Sequence, residues 1–115
     1  RSTLFPYTTL FRSILASDRD WAAISGRAAG GLLEAKKIAG MAETYYAQIA
    51  PHLYCGPIEG AANIQISACT PNFLILESIE TWGGFHAEIL KKPIQWEDGY
   101  VIPPSEPGLG VELEA

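Results

Sequence analysis

Two side chains in this sequence have both the chemistry and the setting to move protons. His52 lies in Ala50-Pro51-His52-Leu53-Tyr54-Cys55-Gly56-Pro57-Ile58, after the apolar run Ala47-Gln48-Ile49-Ala50 and before a segment that starts like a helix, Pro57-Ile58-Glu59-Gly60-Ala61-Ala62. Glu77 closes a second strand-like run, Phe73-Leu74-Ile75-Leu76. An ordinary imidazole titrates near ~6.5, so it can accept and return a proton close to neutrality. Parallel α/β sheets and barrels carry their chemistry at the carboxyl ends of their strands. One strand-helix-strand unit here sets an imidazole and a carboxylate at two such ends. Tyr54 and Cys55, in the loop after His52, are candidates for lining a substrate pocket, with plain loop packing as the equal alternative. Taken alone, His52 reads as a core or surface histidine held by a backbone carbonyl, and Glu77 as a solvated strand-end acid. Their joint placement is what argues for a site.

The elements that must position this pair follow from periodicity and breakers. Leu32–Tyr46 reads as a helix with Ala35, Ile38, Met41, Ala42 and Tyr45 on its packed face and Lys36, Lys37, Gly40, Glu43 and Thr44 on the other. Glu34 and Lys37 stand within reach of an ion pair worth only tenths of a kcal/mol, roughly. Ala47–Ala50 reads as a strand ending at Pro51, where no further ladder donor is needed. Pro57 suits the first turn of a helix running to about Cys69, whose Gly60, Ala61, Ala62 and Ala68 allow close approach to a sheet. Thr70-Pro71-Asn72 breaks it. Phe73–Leu76, apolar without alternation, reads as a strand buried on both faces. Strand, helix and strand over roughly 30 residues make a βαβ unit with parallel strands and a right-handed crossover.

Upstream, Ser17-Asp18-Arg19-Asp20 has the form of a capping box, and Trp21-Ala22-Ala23-Ile24 either continues a helix or forms a buried strand ending near Ser25. Gly26-Arg27-Ala28-Ala29-Gly30-Gly31 lacks the Gly-Lys-Ser/Thr ending of a phosphate-binding loop and reads as a loop before a helix. Downstream, Phe85–Leu90 reads as a short helix. Pro93-Ile94-Gln95-Trp96 and Tyr100-Val101-Ile102 flank Glu97-Asp98-Gly99, a hairpin signal. Residues 103–110 form an extended, proline-rich loop. Trp96 reads as the anchor of this arm, His86 as exposed, and Glu80 and Trp82 as surface-loop residues near the site.

Composition bounds the function. The chain has 115 residues, 48% hydrophobic and 18% charged, enough to build a core. A net charge of -5 without any basic stripe argues against nucleic acid, and the pairs Lys36-Lys37 and Lys91-Lys92 read as solvated. Cys55 and Cys69 lack metal-ligand spacing and fit a reduced, cytoplasmic setting. No apolar run reaches the ~20 residues of a membrane helix. Residues 1–13 match the in-frame translation of a common short-read sequencing adapter along their whole length. We read them as an artefact and expect natural sequence to be missing on that side.

Gly30-Gly31-Leu32 before a helix, Ala50-Pro51-His52 with Gly56-Pro57-Ile58, and Asn72–Glu77, in this order, resemble the mandelate racemase/muconate-lactonizing enzyme family of the enolase superfamily. The ending Asp98-Gly99-Tyr100-Val101 with Pro107-Gly108-Leu109-Gly110-Val111-Glu112-Leu113 resembles the acid-sugar dehydratases within it, the galactonate dehydratases among them. The resemblance implies an α/β fold: the C-terminal part of a (β/α)-barrel, a modified TIM barrel, with an extended C-terminal arm. Residues 14–90 would be the last βα units, and residues 91–115 the arm returning to a capping domain. Leu32–Tyr46 would be the sixth barrel helix, with the seventh and eighth strands at Ala47–Ala50 and Phe73–Leu76.

Such enzymes abstract the proton alpha to a carboxylate, with Mg2+ stabilising the enediolate. The resemblance makes His52 a general acid/base that protonates the departing hydroxyl. It makes Glu77 a hydrogen-bond donor to the substrate carboxylate, a role that calls for a buried, protonated carboxyl. The family pairs the seventh-strand histidine with a sixth-strand aspartate. That place falls near Ser25, and no acid lies between Ile24 and Gly31. The metal ligands belong to the third to fifth strands, so none is expected here, although Mg2+ is the implied cofactor of the intact parent. The implied activity is that of a sugar-acid dehydratase, with a racemase or epimerase as the alternative and a non-catalytic truncated fragment or interaction module as the reading from another class. The implied partner is a small-molecule sugar acid, with no nucleic acid and no membrane, and the parent is expected to be a homo-oligomer.

Overall fold

The computed structural model describes residues 21–25, 30–53, 56–78 and 83–114. Strand β1 (Trp21–Ser25) is followed by helix α1 (Leu32–Glu43), strand β2 (Gln48–His52) and helix α2 (Pro57–Ala68). The short helix α3 (Phe85–Glu88) and the strands β3 (Gln95–Glu97) and β4 (Tyr100–Ile102) complete the order. Of the two readings open for residues 21–24, the strand is the one formed. The capping-box segment 17–20 and most of the glycine-rich loop lie outside the described residues.

Strands β1 and β2 are parallel, in register from Trp21 opposite Gln48 to Ser25 opposite His52. Helix α1 is the crossover between them, as long apolar-faced segments between parallel strands must be. Its buried residues are Ala35, Ile38, Ala39 and Ala42, at the three- and four-residue spacing of one helix face. This corrects the predicted face. Ala39 belongs to it, whereas Met41 and Tyr45 are exposed, at 42% and 58%. Three alanines bring the helix axis near the sheet, and a long side chain would hold it off. The helix also ends earlier than Tyr46. Tyr46 adopts a left-handed φ of 58°. The Ala47 amide donates to the Ala42 carbonyl and the Tyr46 amide to that of Glu43, both at 3.0 Å. This Schellman pattern turns the chain directly into β2.

Helix α2 begins at Pro57 and has Gly60, Ala61, Asn63, Ile64 and Ile66 buried. It packs beside α1, and Ile66 joins Ala35, Ile38, Ala39, Ala42, Ala47 and Ile49 in one apolar cluster. Lys36 is not simply solvated. Its ammonium donates to the carbonyl of Cys69, the residue capping α2, and lies 3.5 Å from Thr70 Oγ1. A cation at a helix C-terminus satisfies a free carbonyl and opposes the helix dipole. Lys37 pairs with Glu34 at 2.7 Å, as the spacing predicts.

The strand expected over Phe73–Leu76 is only begun. Phe73 bridges Ile49 in parallel: the Ile49 amide donates to the Asn72 carbonyl (2.7 Å) and the Leu74 amide to the Ile49 carbonyl (2.8 Å). The next ladder bond would need an N–H on Pro51, which has none. Pro51 thus lies inside β2, not past its end, and its missing donor falls on the side of residues 73–77. Nor is this segment buried on both faces, since Leu74 and Ile75 are largely exposed.

Beyond the site, β3 and β4 form the expected hairpin, with Asp98 and Gly99 both at positive φ (48° and 82°), the signature of a type I′ turn. The chain then folds back. Leu90 bridges Leu113 antiparallel, and the amide of Glu114 reaches the Ile89 carbonyl at 2.8 Å. Gln65 of α2 donates to the carbonyls of Pro104 (3.1 Å) and Leu109 (3.3 Å), fastening the proline-rich loop to the helix layer. Trp96 is half-buried; His86, expected at the surface, is partly buried too, with its Nδ1 shielded from solvent.

Candidate active site

His52 is the last residue of β2. Along the strand Ile49, Ala50, Pro51 and Leu53 are buried, with Leu53 wholly so, while Gln48 and His52 at the two ends of β2 are exposed. Ile49 and Pro51 face the helices, lining one small space with Ala35, Ala39, Asn63, Ile66 and Phe73. His52 alternates with them and stands on the opposite face, at the carboxyl end of the sheet.

Glu77 reaches the same place from the next segment. Its amide donates to the Pro51 carbonyl at 3.1 Å, which sets its backbone beside the end of β2. The side chains then meet, His52 Nδ1 against Glu77 Oε2. A carboxylate only accepts hydrogen bonds, so in this contact Nδ1 carries the hydrogen. The pair is open to solvent, His52 at 46% and Glu77 at 56%. The burial that the resemblance implied for Glu77 is therefore not found within this chain. Chemically, the arrangement is an oriented imidazole backed by a carboxylate, which can serve as a general acid or a general base.

The register adds a point of correspondence. Ser25 is the β1 residue aligned with His52, and it is near this residue that the resemblance expects an acid. Tyr54 and Cys55, the weaker candidates, lie outside the described residues, as do Glu80 and Trp82. Among the described residues no group of three or more His, Cys, Asp and Glu side chains is placed to hold a metal ion. One imidazole and one carboxylate do not fit Mg2+, which takes about six oxygen ligands in octahedral geometry.

Two residues that support the site were not singled out by chemistry. Asn63 of α2, 1% exposed, directs its amide at the His52 carbonyl (3.5 Å). Asn72 donates to the carbonyls of Ala39 (3.0 Å) and Ala47 (2.8 Å), joining α1 to the start of β2, while its own carbonyl receives the Ile49 amide. The usable signal for Asn63 was a polar residue among small apolar ones on a buried helix face. For Asn72 it was an amide directly before an apolar run.

Comparison with known proteins shows the family. Residues 9–115 match the family described as enolase C-terminal domain-like. The chain is 41% identical over 95 residues to D-galactonate dehydratase from Ralstonia nicotianae, covering 75% of this chain and 24% of that protein. It is 34% identical over 85 residues to D-xylonate dehydratase from Haloferax volcanii, covering 74% of this chain and 21% of that protein. The chain thus spans about a quarter of the length of these curated relatives. A solved structure from Burkholderia SAR-1, described as of the mandelate racemase/muconate lactonizing enzyme type, is 73% identical. It superposes with a TM-score of 0.71 over 74% of this chain and 21% of that one.

Proposed function

The chain belongs to the enolase C-terminal domain-like family, and from that premise we propose that it forms the closing βα units of a sugar-acid dehydratase. The observation that carries the reading is the meeting of His52 and Glu77 at the carboxyl ends of neighbouring parallel segments. In the proposed reaction a base removes the proton alpha to the substrate carboxylate, and the hydroxyl on the adjacent carbon leaves as water. The resulting enol becomes a 2-oxo acid. His52 enters this step as the imidazolium and gives its Nε2 proton to the departing hydroxyl, and Glu77 in its protonated form donates a hydrogen bond to the substrate carboxylate. Tyr54 and Cys55, which follow His52 closely in the sequence, are the residues proposed to line the substrate pocket. The names of the curated relatives support a sugar acid, and they divide between galactonate and xylonate. Mg2+ is proposed as the cofactor of the longer enzyme, held by residues outside this chain, since the donor set here does not fit it.

The test is a chimera in which the part of this chain that superposes on the Burkholderia SAR-1 protein, 74% of its length, replaces the corresponding fifth of that protein. It is incubated with a panel of sugar acids, and the 2-oxo acid is measured by carbonyl derivatisation. Turnover is expected, and His52→Asn should lower it by ~10²–10⁴, the usual worth of a general acid–base group. Inversion of a stereocentre without loss of water would instead assign the racemase chemistry of the same family. Undiminished turnover by the substituted chimera would remove His52 from the reaction.

A further inference from the structure

In a regular parallel ladder, His52 and Glu77 would not meet. Ile49 is paired with Phe73, so strict register pairs Pro51 with Ile75 and Leu53 with Glu77. Paired residues project from the same face, and successive residues alternate. Glu77 would then share the helix-facing side of Ile49, Pro51 and Leu53, with His52 on the other side of the sheet. The observed bonds break this register. The Leu74 amide donates to the Ile49 carbonyl, so the regular donor to the Pro51 carbonyl is the amide of Leu76. The donor found there is Glu77, at 3.1 Å. One extra residue has entered between the two bonds, which is a bulge, and a one-residue slip exchanges the faces of everything beyond it.

The cause lies on the opposite side of the ladder. In the regular arrangement the residue at position 51 donates its N–H to the Leu74 carbonyl and holds the segment straight. Proline removes that donor, and the restraint with it. We propose that Pro51 is a positioning residue: its missing N–H admits the bulge at residues 75–76, which turns Glu77 onto the face of His52. The functional weight of this arrangement rests on the reading of His52 and Glu77 given above; the register claim itself does not.

The test uses NMR on the isotope-labelled 115-residue chain without substrate, so it stands apart from the chimera assay. Pro51→Val keeps apolar bulk and restores the N–H, and Pro51→Ala guards against a steric effect of the branched side chain. In the wild-type chain, cross-peaks between the His52 ring and the Glu77 side chain are expected, with ring ¹⁵N shifts reporting hydrogen on Nδ1. In both variants, protection from exchange should pass from the Glu77 amide to that of Leu76. Each should change by about fivefold, the factor a typical net backbone hydrogen bond supplies. The ring ¹⁵N pattern should become that of Glu77→Ala, and adding Glu77→Ala to either variant should change it no further. The proposal is overturned by wild-type spectra without the His52–Glu77 contact, by contact and protection unchanged in both variants, or by a ring pattern unlike that of Glu77→Ala.

Discussion

Asn63 shows what a single buried amide contributes to a strand-end site. It is almost fully enclosed on α2, accepts the Ser67 hydroxyl on its backbone carbonyl at 2.6 Å, and aims its side-chain amide at the carbonyl of His52. Among the described residues, Asn63 is the side chain found at that carbonyl. Asn63→Leu, close in size, should therefore destabilise the chain by ~1–3 kcal/mol, the cost of leaving a buried polar group without its partner. Urea denaturation is the measurement, and an unchanged midpoint would show that the bond carries no weight. At this scale the sequence revealed residue types and not their neighbours. His52 and Glu77 were legible because strand ends can be read from apolar runs. Asn63 and Asn72 were not, because their partners are backbone carbonyls, which every residue possesses.

At the scale of elements, signals that depend on local backbone chemistry were the ones that could be read. Pro57 opening α2 and Asp98-Gly99 turning the hairpin each need a particular φ, and both stand where expected. What could not be read was the competition between elements: Ala39 in place of Met41 on the packed face, or a strand cut short by a proline on its neighbour. The arm offers two tests of how such competition is resolved. Gly108 and Gly110 share a φ of 75°, but a Cβ on Gly110 would stand 2.6 Å from that of Pro104, whereas one on Gly108 meets open space. Gly108→Ala should cost only the ~1–2 kcal/mol of a left-handed L-residue. Gly110→Ala should add the ~1–3 kcal/mol of an overpacked contact and loosen the loop from Gln65. Equal losses in thermal or urea unfolding would deny the close approach. Charge fastens the same arm: Glu106 is held below the usual carboxylate range by its own backbone N–H and then by Lys92, 3.5 Å away. A carboxylate with a lower value folded than unfolded stabilises above the unfolded value, and that contribution is lost as pH falls through the folded one. Both groups are exposed, so the effect on stability is small. Lys92→Gln should move the Glu106 titration upward in a carboxyl ¹³C NMR experiment, and no movement would assign the shift to the backbone alone.

For the molecule as a whole, the strands available set what the chain can do by itself. The α/β character and the parallel order β1, β2, Phe73 are those expected, while a closed barrel is not shown among the described residues. Two strands and a bridge leave apolar surface uncovered, including Leu74 and Ile75 on an incomplete edge. Such edges recruit further strands. The same shortage governs the metal. A Mg2+ site needs several oxygen ligands converging from separate strand ends. Here the sheet brings together one imidazole, a poor ligand for so hard an ion, and one carboxylate already engaged by it. No second acidic side chain joins them to make a metal-binding group among the described residues. Calorimetric titration of the 115-residue chain with MgCl2 should therefore give no binding in the micromolar range, and the heat should be the same for Glu77→Gln. Micromolar dissociation that disappears in Glu77→Gln would mean that this pair, with ligands from elsewhere in the chain, already builds the metal centre, and the division of labour proposed here would be wrong.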